Sequence, residues 1–216
     1  MKQVPLFDEP PPARRRSAAK RAIGKRARKL SQYYTPDPLA ERIASFALRC
    51  CPNARTVLEP SAGRGAIVRA LLALQPQLQI TCVDLDVDNA QHLLSTFPNV
   101  LVAHADFLKF KPARFDLVVM NPPFEDGAVA EHVLHSLEIA DAVVCHCPIT
   151  TLSGQDRRST LWSLSEPRAL AVSSTRPRYI AGGGKTDMCT VFVRACDGST
   201  TRDPSEPCSV LVEFWP

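Results

Sequence analysis

Four short stretches hold the residues with chemistry to offer. Asn121-Pro122-Pro123-Phe124 ends the apolar run FDLVVM. Proline has no N–H for a sheet ladder, so the strand stops near Met120 and leaves Asn121 at its carboxyl end, where open α/β sheets hold their ligands. Upstream, LEPSAGRGA places Gly63 and Gly65 between a strand and a helix. In such a turn the backbone can pass close to a ligand, and the helix amino terminus offers free N–H groups. Two ligand classes suit the loop. A dinucleotide pyrophosphate asks for GxGxxG, whereas Gly63-Arg64-Gly65 is followed by Ala66-Ile67-Val68 with no third glycine. Glu59, just ahead of the loop, repels a pyrophosphate and suits a cation, such as the sulfonium and ammonium of S-adenosyl-L-methionine. VDLD then sets Asp84 at the end of the next strand, about 20 residues on, where a carboxylate accepts from the ribose hydroxyls of an adenosine, with Asp86 as its substitute. In HADF, Asp106 can accept from an adenine amino group and Phe107 can stack on a purine face.

Positioning these residues requires alternating strands and helices. Leu39, Ile43, Phe46 and Ala47 recur at helical spacing behind Thr35-Pro36-Asp37-Pro38, which predicts a helix over 37–50. Strands are expected at 56–60, 79–86, 99–107, 115–120 and 141–149, with helices in AIVRALLALQ, NAQHLLSTF and AVAEHVLHSLEIA between them. Several strands are almost continuously apolar, so both faces are covered. The expected fold is α/β, a doubly wound, mostly parallel Rossmann-like sheet with helices on both faces. Beyond it LWSLSEP is read as closing a helix, and RALAVSSTRP, MCTVFVRAC and CSVLVEFWP as strands.

In this order and spacing, EPSAGRG, VDLD, ADFL and NPPF resemble the class I S-adenosylmethionine-dependent methyltransferases that modify exocyclic amino nitrogens, most specifically the N6-adenine DNA methyltransferases, here a small phage- or prophage-like member. The resemblance spans roughly residues 32 to 125. It implies S-adenosyl-L-methionine as cofactor, held by Glu59, Pro60, Ser61, Gly63 and Gly65 of the loop, by Asp84 and Leu85, by Asp106 and Phe107, and by Asn121. Tyr34 and Thr35 belong to a segment, Gln32 to Pro36, that closes over its methionine end. It also implies catalysis by Asn121, Pro122, Pro123 and Phe124. An aromatic amine is a poor nucleophile because its lone pair is delocalised into the ring. The Asn121 oxygen and the Pro122 carbonyl can each accept one amino hydrogen and draw the nitrogen toward sp³ geometry as charge develops, while Phe124 stacks on a base that has left its helix. Adenine in DNA is the expected substrate. RNA adenine and a protein glutamine amide present the same lone-pair problem, and a third reading is an inactive nucleic-acid-binding module on the same fold.

At 216 residues, with 45% hydrophobic and 22% charged side chains, the chain suits one globular domain over 31–216. The amino terminus lacks the apolar stretch of a signal peptide and no run is long enough to cross a bilayer, so a cytoplasmic location is expected, without a membrane partner. The net charge of +4 hides an asymmetry, for residues 1–30 carry ten basic and two acidic side chains and the remainder is −4. Arg14, Arg15, Arg16, Lys20, Arg21, Lys25, Arg26, Arg28 and Lys29 form a run read as a disordered basic arm that binds nucleic acid. The eight cysteines contain no CxxC pair, which argues for reduced thiols and no metal; Cys145-His146-Cys147 alternates across a strand and cannot share an ion. GGGKT at 182–186 lacks the leading glycine of a phosphate loop. His92, His104, His132 and His135 are read as surface or internally satisfied side chains, Trp162 and Trp215 as packing residues. Sequence discrimination is expected to be slight, or to come from short loops around 153–158 and 176–185.

Overall fold

Proline, glycine and polar residues close every apolar run within a few residues, and the runs become strands that share one sheet. The computed structural model describes residues 34–124, 127–153, 158–162, 165–174, 187–195 and 210–216. Five parallel strands form its first part: β1 (Thr56–Glu59), β2 (Gln79–Asp84), β3 (Leu101–His104), β4 (Leu117–Met120) and β5 (Ala142–Pro148). Helices α1 (Asp37–Cys50), α2 (Ala66–Leu74), α3 (Val87–Thr96) and α4 (Ala128–Ile139) precede or connect them. Three further strands, β6 (Pro167–Ser173), β7 (Met188–Arg194) and β8 (Leu211–Trp215), complete the order β3-β2-β1-β4-β5-β7-β6-β8. The sheet is therefore mixed, with β7 antiparallel to both neighbours and β8 parallel to β6. Alternating apolar patterns specify a strand and its buried face but leave its direction open, and an antiparallel neighbour needs no helical crossover.

Both faces of the central strands are covered, while the edge strands β3 and β8 leave Leu101, Leu211 and Phe214 exposed. Ile43, Phe46, Ile67, Leu71 and Leu93 from α1, α2 and α3 bury one side, and Val129 and Val133 of α4 with Leu161 and Trp162 bury the other. The chain runs outward from β1 in both directions, to β2 on one side and β4 on the other, so the crevice beyond the carboxyl ends of β1 and β4 is the topological switch point of the sheet. At the opposite end, Asp116 accepts from the N–H groups of Arg55 and Thr56 at 2.8 Å each, while its own N–H donates to Thr56 Oγ1 at 2.9 Å. These three bonds lock β1 beside β4, and the first two hold the Asp116 carboxyl below its ordinary range.

Two segments depart from their expected form. The strand expected over 99–107 stops at His104, because Asp106 accepts from Leu108 N–H at 3.2 Å and caps a 3₁₀ turn, Phe107–Lys109. LWSLSEP does not close an α-helix: Arg158–Trp162 forms one π-helical turn, and Pro167 already begins β6. Trp162 donates to the Thr151 carbonyl at 3.0 Å and Trp215 packs edge-on against Phe46, so both are packing residues. Cys145 and Cys147 face the core under α4, whereas His146 bonds Thr190 at 2.9 Å, and its complete burial lowers the imidazole to about 3. No helix of the described residues is long and apolar enough to cross a membrane.

Candidate active site

A cleft of about 450 Å³ lies at the switch point, a volume suited to a small-molecule ligand. β1 delivers Glu59 and the turn Pro60 to Gly63, β2 delivers Asp84 and Leu85, the turn after β3 delivers Asp106 and Phe107, and β4 delivers Asn121 and Pro123. Tyr34 and Thr35 cross the cleft ahead of α1. Asp84 is the hub of this architecture. Its Oδ2 accepts from Gly63 N–H at 2.7 Å, and its Oδ1 accepts from Asp86 N–H at 2.8 Å and from Asn89 Nδ2 at 3.2 Å. Tyr34 in turn donates its hydroxyl to Asn89 Oδ1 at 3.3 Å. On the other side of the cleft Asn121 Nδ2 donates to Thr35 Oγ1 at 2.9 Å.

Two acids share this space. Glu59 accepts from the Val68 N–H at the start of α2, while its Oε2 is buried without a hydrogen-bond partner. Burial and then the neighbouring Asp84 push the Glu59 carboxyl well above its ordinary range. Asp84 is raised as well, by burial, with the three donors working against that shift. A buried carboxylate beside another is relieved by a positive ligand and worsened by a negative one.

Residues 43–146 match the methyltransferase small domain family. A Pyrococcus horikoshii protein proposed to be an RNA methyltransferase superposes with a TM-score of 0.65 over 83% of this chain and 99% of its own, at 20% identity. The two proteins share an α/β, Rossmann-like fold. The chain is 31% identical over 101 residues to the type II methyltransferase M.AccI of Acinetobacter calcoaceticus, covering 45% of this chain and 18% of that enzyme. It is 32% identical over 103 residues to the release factor glutamine methyltransferase of Aliivibrio fischeri, covering 43% and 35%. The chain thus spans well under half the length of these curated relatives.

S-adenosylmethionine is the cofactor of class I methyltransferases, and the residues fit it. The buried Glu59 Oε2 and the acidic pair suit a cation, and Asp106 with Phe107 suits an adenine. Asp84 is less available than a bare strand-end acid: three N–H donors leave one of its roughly four acceptor sites for a ribose. Lys109 Nζ also lies 3.2 Å from Asp106 Oδ2, so an adenine amino group would share that oxygen with a lysine.

Twelve of the expected site residues line the cleft, and Gly65, Pro122 and Phe124 do not. Gly65 stands back from it, at φ +74°, where a Cβ would overlap the Phe97 ring and come within 2.9 Å of Leu93; its glycine lets α3 pack on the loop. Phe124 is half-buried and packs against both cores. The basic arm and the loop 175–186 lie outside the described residues. Sequence reasoning missed Asn89, which ties Tyr34 to Asp84, and Arg64 and His132, which line the cleft. The His132 ring sits 5.3 Å from Phe107, its Nδ1–H donates to the Ala128 carbonyl at 2.8 Å, and burial lowers its pKa. Helical spacing alone marked it as one more polar position, and only the docking of α4 on the Phe107 turn brings it into the cleft.

Proposed function

We propose that the protein transfers a methyl group from S-adenosylmethionine to an amino nitrogen conjugated to a π system, with adenine N6 in DNA as the substrate. The observation that carries this reading is Asn121, buried at the carboxyl end of β4 on the wall of the cleft that holds Glu59 and Asp84. Bound there, S-adenosylmethionine would supply an electrophilic methyl on a sulfonium: as the nitrogen–carbon bond forms the carbon–sulfur bond breaks, its electron pair leaves with the neutral thioether S-adenosylhomocysteine, and the surplus amine proton passes to solvent. The Asn121 Oδ1 and the Pro122 carbonyl oxygen each accept a hydrogen of the substrate amine, which frees the nitrogen lone pair and steadies the charge that develops on it. Pro123 stiffens the loop. DNA is favoured by the nine basic residues of 14–29 and by the likeness to M.AccI and to the modification methylase CviBIII of Paramecium bursaria Chlorella virus NC1A, at 31% identity over 96 residues. The likeness to a release factor glutamine methyltransferase favours a protein amide as the second reading.

Incubation with methyl-labelled cofactor and separate pools of DNA, RNA and bacterial protein decides between them. Label in DNA as N6-methyladenine is expected, and label confined to protein overturns the DNA assignment. Asn121→Ala should lower turnover by on the order of a hundredfold or more, the scale of about 3 kcal/mol for one preorganised polar contact. Turnover above a tenth of wild type would remove Asn121 from the chemistry.

A further inference from the structure

Tyr34 and Thr35 form a two-residue strap with one end on each side of the cleft. Tyr34 lies on the cofactor loop, where a Cβ on Gly63 would be 3.3 Å from its ring, and its hydroxyl reaches Asn89. Pro36 then turns the chain into α1, its carbonyl accepting from Leu39 and Ala40 at 3.0 and 2.9 Å, so the strap is tied to a helix start. Between these anchors Thr35 Oγ1 accepts from Asn121 Nδ2 at 2.9 Å across 86 residues of sequence.

That bond decides which end of the amide meets the substrate. An amide carries an acceptor and a donor on opposite sides of one carbon. With Nδ2 held by Thr35, Oδ1 is turned to the other side; with the amide reversed, an N–H would confront the N–H of an incoming amine. We infer that Thr35 is a positioning residue for methyl transfer, its hydroxyl holding the Asn121 amide nitrogen so that the oxygen faces the substrate amine. The inference rests on the reading of Asn121 as the acceptor of that amine. It gives the strap a second task besides closing over the cofactor, because the same two residues brace the cofactor loop and set the catalytic amide.

Thr35→Val keeps the shape and removes the acceptor, while Thr35→Ser keeps the hydroxyl. In the full chain, Val should lower kcat about five- to tenfold, the effect of one lost hydrogen bond on the population of the correct amide orientation, and leave the calorimetric Kd for S-adenosylmethionine within about twofold by the same reasoning. Ser should restore kcat. By NMR, the Asn121 side-chain NH2 signals should be protected from exchange in wild type and Ser and lose that protection in Val. This second readout does not depend on turnover or on the substrate. A weakened cofactor Kd with kcat and the NH2 signals unchanged would make Thr35 a cofactor contact and overturn the inference, as would a Val variant identical to wild type. If Asn121→Ala abolishes turnover while Thr35→Val leaves turnover intact, the positioning role alone fails. If Asn121→Ala leaves turnover intact, the reading of Asn121 fails with it.

Discussion

A carboxyl group buried beside a second one is held against its own ionisation, and Glu59 is in that position. Its folded pKa lies above the unfolded value, so the folded protein binds the extra proton. Its contribution to stability is fully present below the unfolded pKa, near 4.5, and is lost as pH rises through the raised folded value. A cationic ligand reverses this, since it favours the ionised form and expels the proton. Glu59→Gln keeps an acceptor for Val68 N–H and removes the charge. In thermal melts without cofactor, the variant should be more stable than wild type at neutral pH, with a shallower fall from acid to neutral. Its cofactor affinity should be weaker and flatter with pH, where wild type should lose affinity as pH falls below the Glu59 pKa. A Gln variant that binds cofactor as wild type does at neutral pH would show that Glu59 is a loop brace only.

At the scale of elements, the two glycines of the loop have separate duties. Gly63, at φ +53°, lies under Tyr34, and an added Cβ meets that ring at the edge of ordinary contact. Gly65 has a backbone equally unsuited to other residues, but its Cβ would enter the space of Phe97 and Leu93 where α3 docks. Gly65→Ala should therefore cost about 1 to 3 kcal/mol of stability from overpacking, with strain from the left-handed backbone added. Cofactor affinity of the folded fraction should change little. Gly63→Ala should do the reverse, displacing Tyr34 and weakening cofactor with a smaller loss of stability. Equal melting temperatures for the two variants would contradict this division.

Across the whole molecule, charge is divided between a basic amino-terminal stretch at +8 and a remainder at −4. The net charge of the remainder opposes phosphate, so under the DNA reading the phosphate contacts should come mainly from residues 14–29. Replacing the nine basic residues of that stretch with glutamine in the full chain should leave the melting temperature and cofactor affinity unchanged. The slope of log affinity against log salt should become shallower by on the order of 4 to 5 if about five phosphate contacts are lost. Parallel slopes for the two proteins would mean that the remainder finds DNA by itself.

Much of the fold and part of the site were legible in the sequence because backbone sterics act locally. The helical spacing of Leu39, Ile43 and Phe46 led to α1 at Asp37–Cys50, and the prolines after Glu59 and Asn121 marked where β1 and β4 end. Those two endings already placed an acid and an amide at the carboxyl edge of the sheet, and the glycine loop between strand and helix was equally plain. What the chain's pattern left open were contacts between distant segments. The direction of β7 came from pairing rather than periodicity. The saturation of Asp84 required Gly63 and Asn89 to converge on it, the packing duty of Gly65 required α3 to arrive, and His132 entered the cleft only with α4. The bond from Asn121 to Thr35 depends on the same convergence. Residue types and turns are written in neighbouring φ and ψ angles, whereas which donor meets which acceptor is settled when the buried faces of separate helices choose their places on the sheet.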